Sequence, residues 1–575
     1  MPTPGVRPRL ALALGSVALV LAALLAPGLL RRAPAPAERS VAAATGCDRC
    51  HDRADEGPTG LHALFPCEIC HGGDPRASTV LDAHRGMEVE AGALDVAGRA
   101  CGPCHRREVS RVKASPMATG RGLLAVDRWA FGETARPDGE QTFTQLLAEL
   151  HPTPAQDHLR RLCTGCHLNT RKDNRDDAIT SGGSGCGACH SGPPVGSKHS
   201  SLDGHVPSER CFGCHSRSSR ISLSYQGLAE VSGPQADACE EKSTLPDGRT
   251  VCAITPDVHH EAGMACTDCH LHSELMGDGR TYLHAEDAVE VSCRSCHGPT
   301  RKGEEATWWD VRDTVTSAML RLRTEWRPDR EPVRLGRRGT PLWNLRSKRR
   351  DGSWTLYRKA DGRPLPVTPT PDDAAHTLPG HERLSCAACH AASAPTCPTC
   401  HTTFDPEGVQ WDFGAAAERP GEWIETNEGM GSAPPGLAVG ADGRVRPAIP
   451  GMRATLDARP AGGRLRRIHL FSVLDPHTTV RRSRSCVSCH ADPDALLTGR
   501  GTRRGARAFD AAERRRILRV GRCLKCHEGS EPMYRRFATA VGGLEPGHPA
   551  GRRRAPDGGR ATAPGGARIP RGTQR

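Results

Sequence analysis

The chain of 575 residues has few aromatic side chains (4%), and its apolar fraction of 37% is low. An ordinary soluble domain carries roughly 45–50% apolar residues. This sequence therefore has too few apolar side chains to form the hydrophobic core of a chain of this length by themselves. The sequence has no Gly-x-y period, no sustained heptad and only one long apolar run, which excludes collagen, a coiled coil and a polytopic membrane protein. We therefore expect another component to fill the core.

Nucleic-acid-binding motifs are lacking as well. The formal net charge of +12 would by itself suggest an anionic partner, but aromatic residues are too sparse for the stacking platforms of single-strand binders. We expect no nucleic acid partner. Many arginines are better interpreted as partners for carboxylates, which the guanidinium fork fits.

Cysteine and histidine are the abundant residues, with 26 and 27 copies. Twenty-four of the cysteines form twelve copies of Cys-x-x-Cys-His, the attachment signal of c-type haem. Thiols three residues apart lie on one side of a helical turn, where both can bond one porphyrin, and the histidine that follows can bind the iron. The pattern predicts twelve covalently attached haem c groups.

The motifs are numbered 1 to 12 in chain order. Their cysteines are Cys47 and Cys50, Cys67 and Cys70, Cys101 and Cys104, Cys163 and Cys166, Cys186 and Cys189, Cys211 and Cys214, Cys266 and Cys269, Cys293 and Cys296, Cys386 and Cys389, Cys397 and Cys400, Cys486 and Cys489, and Cys523 and Cys526. Their histidines, the expected proximal iron ligands, are His51, His71, His105, His167, His190, His215, His270, His297, His390, His401, His490 and His527.

Zinc sites and a disulfide framework are the alternatives for this many cysteines. A zinc site usually takes two cysteine pairs, or two cysteines and two histidines at finger spacing. Neither alternative gives a reason for a histidine directly after every second cysteine, so covalent haem is the better interpretation.

Fifteen histidines lie outside the motifs, whereas twelve second ligands would give every iron two imidazoles. The adjacent His259 and His260 are expected to serve one iron between them, and Met117 is a competing ligand of the type that raises haem potentials. The candidate distal ligands are His62, His84, His158, His199, His205, His259, His272, His284, His381, His469, His477 and His548. Mainly bis-His ligation predicts low potentials and six-coordinate irons.

The N-terminus has the pattern of an export signal. Arg7 and Arg9 precede an uncharged run over 10–30, and small residues follow it. The run is longer than a usual signal and just long enough to span a bilayer. We interpret 1–45 as a signal peptide or an N-terminal membrane anchor plus linker. Either reading places the remainder in the periplasm, free or anchored to the inner membrane.

Motif spacing divides the rest of the chain. The expected segments are an eight-haem region (46–300), a haem-free helix and hairpin insert (301–385), a closely spaced two-haem segment (386–401), a second haem-free insert (402–485), a two-haem C-terminal region (486–530) and a disordered basic tail (549–575).

Turn signals predict small hairpins and one disulfide. Asp-Gly dipeptides at 351–352, 361–362 and 442–443 lie beside strand-like runs. Cys239 and Cys252 stand outside the motifs and flank another turn signal. We favour a structural disulfide between them over free or catalytic thiols.

Helical periodicity is expected over 142–150, 308–322 and 509–520. Together these patterns predict a mostly α fold with extensive loops and small β-hairpin inserts, in which porphyrins form the core of a haem-packed multihaem cytochrome architecture.

The chain resembles multihaem c-type cytochromes, loosely those of the hydroxylamine oxidoreductase and octahaem tetrathionate reductase group. The likeness rests on the twelve motifs and on local phrases: 67–73 with His84 downstream, 263–270, and His477 before motif 11. The resemblance implies haems in near-contact pairs and chains. Catalytic members of the group hold one haem with an open distal side, and the Cys-x-x-Cys-Lys variant found in some of them is absent here.

Two functions are therefore expected. The first is an electron-transfer conduit in anaerobic respiration, with a quinol-oxidising membrane complex and periplasmic cytochromes as partners. The second is a multihaem oxidoreductase, in which one open-site haem acts on a small nitrogen or sulfur compound. No catalytic residue is identifiable from the sequence.

Overall fold

The computed structural model describes residues 46–527, apart from 52–56, 59, 172–183, 195–198, 203, 218–220, 299–332, 348–352, 372–375 and 398. The expected export segment (1–45), the helix expected over 308–322 and the basic tail (549–575) lie outside the described residues. Within the described part of the chain, no helix has the length and apolarity that crossing a membrane requires.

The chain divides into two compact units. The smaller comprises Met1–Thr119 and Gly165–Val206, and the larger comprises Gly120–Thr164 and Pro207–Arg575. The divisions follow three-dimensional contacts, so the smaller unit includes a segment that returns from later in the chain.

The smaller unit consists of short helices and one pair of strands. The helices are Cys67–His71, Val80–Ala83, Ala97–Ala100, Gly102–Ala114, Pro116–Thr119 and Gly187–His190, with 3-10 turns at Gly46–Arg49 and Gly60–Leu64. Strands β1 (Ser191–Pro194) and β2 (Ser200–Leu202) pair antiparallel. Gly185, at φ +55°, lies so close to Gly92 that a Cβ would sit 2.2 Å from the Gly92 carbonyl oxygen. This approach brings motif 5 against the loop before motif 3.

The larger unit contains the remaining elements. Its helices are Arg121–Phe131, Phe143–Leu147, Pro154–Leu162, Glu209–His215, Ser222–Tyr225, Pro234–Asp237, Val258–Glu261, Cys266–Cys269, His272–Leu275, Ala285–Ala288, Cys293–His297, Cys386–His390, Val487–His490 and Ala511–His527, with a 3-10 turn at Arg459–Ala461. Its strands are β3 (Leu228–Glu230), β4 (Lys242–Thr244), β5 (Thr250–Ala253), β6 (Val333–Leu335), β7 (Pro341–Ser347), β8 (Trp354–Tyr357), β9 (Pro364–Val367), β10 (Ala394–Thr396), β11 (Thr399–Asp412), β12 (Ala417–Thr426), β13 (Gly431–Ala433), β14 (Gly436–Val439), β15 (Val445–Asp457), β16 (Leu465–Val473) and β17 (Arg500–Gly501).

These strands form four sheets. The largest has six strands in the order β12-β11-β15-β16-β17, with β14 also paired to β15. Strands β3, β5 and β4 form a second sheet, β6 to β9 a third, and β10 with β13 a fourth. In the large sheet β11 and β15 run parallel, whereas β11 with β12 and β15 with β16 are antiparallel.

The expectation of a mostly α, haem-packed fold is wrong. Of the described residues, 33% are helix and 23% are strand, and the longest strands build the six-stranded sheet. Helices Arg121–Phe131 and Pro154–Leu162 contribute Trp129, Phe131 and Ala155 to a core cluster with Trp423 and Leu456 of this sheet. The few large apolar residues are thus concentrated at one place, where they form an ordinary side-chain core.

The hairpin predictions are confirmed where the structure describes them. Strands β7 and β8 pair antiparallel on either side of 351–352, although that turn lies outside the described residues. Strands β8 and β9 pair around 361–362, and β14 and β15 pair around 442–443. The helix expected over 142–150 is shorter, at Phe143–Leu147, because Thr142 caps its start.

The predicted disulfide is confirmed between Cys239 and Cys252, thirteen residues apart. It ties β5 to the segment that precedes β4, in the sheet that also contains β3. The turn between them closes with a hydrogen bond from the Gly248 amide to the Leu245 carbonyl at 2.9 Å.

Replacing Cys239 and Cys252 together with serine is expected to lower the free energy of unfolding of the sheet they join by about 3 kcal/mol, because the unfolded loop is no longer constrained. The midpoint of urea unfolding measures the change. Ser243→Ala, at an exposed position of β4, is the control and should leave the midpoint in place. Equal midpoints for the double serine variant and the control would contradict the expectation.

Candidate cofactor-binding sites

Eleven of the twelve motifs lie on helical turns, as their spacing predicts. Motifs 1 and 4 lie on 3-10 turns and nine others on α-helices. Motif 10 differs, because Cys400 and His401 lie in β11, where successive side chains alternate between the two faces of a sheet. Motif 10 therefore lacks the helical arrangement of thiols that the other motifs share.

Six motif histidines each face a histidine from outside the motifs. In the smaller unit the pairs are His51–His84 and His71–His199; in the larger unit they are His297–His259, His270–His477, His390–His376 and His490–His381. The ring centroids lie 5.9–6.2 Å apart. Each of these six ring contacts joins one motif histidine to one histidine outside the motifs.

The spacing of these rings fits two imidazoles on one metal ion. Two nitrogen ligands at about 2.0 Å from a shared metal have ring centres about 6.3 Å apart. Aromatic rings that merely pack together spread over roughly 4.5–7 Å, whereas the six pairs occupy a narrow range near the metal-bridged value. The residues present therefore fit a group that carries one iron between each pair.

Hydrogen bonds at Nδ1 favour the tautomer in which Nε2 can bind a metal. Among motif histidines, Nδ1 lies 2.7 Å from the Glu88 carbonyl oxygen in His71, 2.6 Å from that of Thr368 in His297, and 2.8 Å from that of Ile517 in His490. Among their partners, it lies 2.8 Å from the Val80 oxygen in His84, 2.7 Å from that of Ser200 in His199, and 3.0 Å from that of Asp475 in His477. When Nδ1 donates, Nε2 keeps the lone pair that binds a metal.

Two of the paired histidines contact a carboxylate instead. His270 Nδ1 lies 2.8 Å from Glu274 Oε2, and His259 Nδ1 lies 2.8 Å from Asp257 Oδ1. Glu274 is 7% exposed and Asp257 is 2% exposed. Burial disfavours the charged imidazole of His270, but the Glu274 carboxylate outweighs it and raises the pKa of His270 in the metal-free chain.

In the smaller unit, thiols of different motifs lie close together. The Cys101 thiol of motif 3 hydrogen-bonds to the Cys186 thiol of motif 5, which lowers the pKa of Cys186 to about 7. Burial raises the pKa of Cys70 in motif 2, and the nearby charge of Cys101 raises it further. Burial and Cys67 act in the same way on Cys47 of motif 1. Attachment sites 1, 2, 3 and 5 are therefore consecutive neighbours.

The larger unit contains a longer row of this kind. The thiols of Cys266 and Cys211 hydrogen-bond and so join motifs 7 and 6, and those of Cys386 and Cys293 join motifs 9 and 8. Cys269 of motif 7 and Cys296 of motif 8 pack against one core cluster. Cys389 of motif 9 interacts with Cys489 of motif 11, whose charge adds to burial in raising the pKa of Cys389. The attachment sites follow the order 6, 7, 8, 9, 11.

The other candidate distal ligands have varied surroundings. His284 Nε2 is buried and has no hydrogen-bond partner among the described residues, as expected of a nitrogen reserved for a metal. His62 lies in the 3-10 turn Gly60–Leu64, and His469 lies in β16 beside Gly499. His205 lies between β2 and the helix Glu209–His215, His272 begins the helix His272–Leu275, and His548 lies outside the described residues.

His158 is engaged on both ring nitrogens. Nδ1 lies 3.1 Å from Asp127 Oδ2 and Nε2 lies 3.4 Å from Glu425 Oε1, and the ring packs between Phe131 and Trp423. Burial disfavours the charged ring, but the two carboxylates outweigh this and raise its pKa to about 10. Both ring nitrogens of His158 face carboxylates in this structure, and its role as a distal ligand stays a prediction.

His376 is the functional candidate that the sequence-based selection omitted. Its ring is nearly parallel to that of His390, with an interplanar angle of 12° and a centroid distance of 6.2 Å. It precedes motif 9 by ten residues, much as His477 precedes motif 11 by nine. That shared spacing was the signal that could have identified it.

Within the described ranges, no three histidine, cysteine or acidic side chains are grouped so as to hold a metal ion by themselves. No protein-family model, curated protein or solved structure matches the chain.

Proposed function

We propose that this protein is an exported dodecahaem c-type cytochrome that relays electrons along rows of mainly bis-His haems. The observation that carries the proposal is the set of six histidine pairs, each of one motif residue and one outside residue, at 5.9–6.2 Å. When bound, haem c supplies one-electron redox chemistry at its iron. The resemblance to multihaem cytochromes supports the same proposal.

The chain's own residues would do three things for such groups. The motif cysteines would attach them, the paired imidazoles would bind the iron, and backbone carbonyls or carboxylates at Nδ1 would hold these imidazoles in the ligating tautomer. An iron with two strong protein ligands has no free position for substrate, which favours a conduit over catalysis.

Contiguity of the attachment sites is the second support for a conduit. Rows 1-2-3-5 and 6-7-8-9-11 bring thiols of successive motifs into contact or electrostatic range. Groups attached at neighbouring thiols lie close enough for electrons to pass without a diffusing carrier. Redox proteins at the ends of the rows, such as a quinol-oxidising membrane complex and periplasmic cytochromes, are the proposed partners.

Haem loading is the first test of this function. The full chain, produced in a host that attaches haem c, should carry about twelve haems and gain about 7 kDa in mass, roughly 0.6 kDa for each haem. A pyridine haemochrome assay and mass spectrometry measure both quantities. A chain that gains no mass and contains zinc or additional disulfides would overturn the proposal.

Ligation is tested on the loaded protein by carbon monoxide uptake. His376→Ala should open one iron and add one carbon monoxide per chain to the uptake of the reduced parent protein. His151→Ala, at an exposed histidine, is the control and should add none. Equal uptake by the two variants would contradict ligation by His376.

Motif 10 favours a second candidate function at one site, that of an oxidoreductase for a small nitrogen or sulfur compound. His401 is exposed and pairs with no other imidazole among the described residues. Its neighbouring thiols, Cys397 and Cys400, are in electrostatic range of Glu425, which contacts His158. These groups could donate protons to a substrate. Carbon monoxide uptake by the parent protein that disappears in Cys397→Ala/Cys400→Ala would support this function.

A further inference from the structure

We propose that Glu274 and Asp257 are positioning residues that give the haems of motifs 7 and 8 lower reduction potentials than those of motifs 9 and 11 in the row 6-7-8-9-11. The inference rests on the proposed function, because it concerns groups held at those motifs. It adds an uneven potential profile to the row, set by two buried carboxylates.

The first observation is the contrast between acceptors at Nδ1. His270 and His259 face carboxylate oxygens at 2.8 Å. His390 and His490 of motifs 9 and 11 face the backbone oxygens of Val480 and Ile517, at 3.1 and 2.8 Å. A charged acceptor draws the Nδ1 proton more strongly than a neutral carbonyl and makes the imidazole a more basic ligand. A more basic ligand stabilises ferric iron, which lowers the potential.

The second observation is that both carboxylates are held in place from their other oxygen. Glu274 Oε1 accepts the amides of Glu290 at 2.6 Å and Val291 at 3.3 Å. Asp257 Oδ2 accepts the Thr479 amide at 2.7 Å. Each carboxylate therefore accepts hydrogen bonds on both oxygens, and neither can rotate away from its histidine without leaving a buried amide unpaired.

This arrangement distinguishes a carboxylate from the amide of the same shape. A glutamine at 274 would have one oxygen and one NH2 group, so either His270 or the Glu290 amide would face a second donor. The same conflict arises for an asparagine at 257, between His259 and the Thr479 amide. Only an ionised carboxylate satisfies both neighbours, which is why we assign the charge a role beyond packing.

The third observation is that the two sites are neighbours within the row. His270 belongs to motif 7, and His259 pairs with His297 of motif 8. Cys269 and Cys296 of these motifs share a core cluster with Met264. Two adjacent low-potential centres inside the row would keep electrons at motifs 9 and 11, where a partner can collect them. The carboxylates would thus set how far the reduction potentials of motifs 7 and 8 lie below those of motifs 9 and 11.

Redox potentiometry of the haem-loaded chain tests the proposal. Glu274→Gln should favour the ferrous form of one haem at least tenfold, which is about 59 mV upward for one electron. Asp257→Asn should do the same for a second haem, and the double variant should show both shifts. Low-spin EPR signals recorded during the titration should identify one changed iron in each single variant.

Glu88→Gln is the matched control. Its backbone oxygen accepts from His71 Nδ1 at 2.7 Å, while its side chain binds Arg99 and Arg171. The substitution removes a carboxylate near a ligand histidine but leaves the hydrogen bond to that histidine intact. The haem reduction potentials should therefore stay at their parent values. Shifts of equal size in Glu88→Gln would mean that local charge, not the bond to Nδ1, sets the potential, and would overturn the proposal.

A second variant covers loss of haem from Glu274→Gln. Glu274→Asp keeps the charge but moves it away from His270 by the length of one methylene group. It should raise the reduction potential of the same haem by a smaller amount. If the haem-loaded Glu274 and Asp257 variants give redox titration curves identical to that of the parent protein, the inference is overturned. Failure of the proposed function is a separate result, because it would appear as absence of haem from the parent chain.

Discussion

Removal of attachment site 8 by Cys293→Ala/Cys296→Ala is expected to slow electron passage along the larger unit by more than about 100-fold, because tunnelling rates fall exponentially with the distance between cofactors. Site 8 joins site 7 through Cys296 and site 9 through Cys293. The row 6-7-8-9-11 would be divided into two parts. Haem count should fall by one, which shows that the remaining sites are loaded.

Flash photolysis measures this passage. A ruthenium photosensitiser on an introduced Asp492→Cys, at an exposed position beside motif 11, injects one electron at that end. Redistribution of the electron through the remaining haems is followed in the visible absorption band. In Cys293→Ala/Cys296→Ala, this redistribution should not occur on the timescale at which it occurs in the parent protein.

Motif 10 provides the matched control. Cys397 and Cys400 interact with each other and with Glu425, and within the described residues no thiol of another motif acts on them. Cys397→Ala/Cys400→Ala removes the same number of thioethers from a site outside the row, so redistribution should keep the parent rate. Slow redistribution in this control together with normal rates in the site 8 variant would refute the assigned order.

Asp412→Ala is expected to destabilise the larger unit by about 3–5 kcal/mol, because it leaves the Arg160 guanidinium buried without a counter-charge. Both residues are 5% exposed, and Arg160 binds both carboxylate oxygens, at 2.9 and 2.8 Å. The pair joins helix Pro154–Leu162 to the end of β11. The midpoint of urea unfolding of the loaded chain, followed by far-UV circular dichroism, measures the loss.

Two further variants separate the causes. Asp457→Ala breaks an ion pair with Arg459, which is 63% exposed, and should leave the unfolding midpoint nearly unchanged because solvent screens exposed charges. Arg160→Met/Asp412→Ala removes both buried charges and should recover much of the stability that Asp412→Ala loses. A double variant at least as unstable as the single one would show that packing by the arginine stem, rather than its charge, accounts for the effect.

Local features were the ones that could be predicted from the sequence. The helical turns of eleven motifs, the hairpins around 361–362 and 442–443 and the disulfide of Cys239 and Cys252 each depend on residues close together in the chain. Cysteine spacing and Asp-Gly turns act through backbone geometry over a few residues. Those predictions therefore needed no knowledge of which segments meet in space.

The six-stranded sheet was not predictable in this way. Its parallel pairing of β11 with β15 joins residues such as Thr399 and Arg453, and its core draws Trp129 and Trp423 together. Strands rich in arginine and glutamate give a weak apolar alternation. Low apolar content does not exclude an ordinary core, because the few large apolar residues are concentrated in one cluster.

The histidine pairs were also predictable from the sequence only in part. That spare histidines exist in sufficient number is a matter of composition, and five of the predicted candidates do face motif histidines: His84, His199, His259, His381 and His477. That His376 joins them and that His158 binds Asp127 and Glu425 instead depends on which segments fold together. The number of residues that separate two side chains in the sequence does not predict those contacts.

Composition and motif spacing alone specify the attachment chemistry proposed for this chain, because two thiols and an imidazole within five residues act as a unit wherever the segment lies. The order 6-7-8-9-11, the ligand partners and the carboxylates at His270 and His259 follow only from tertiary structure. These properties require residues from distant segments to meet at hydrogen-bonding distance, and folding of the whole chain is what brings them there.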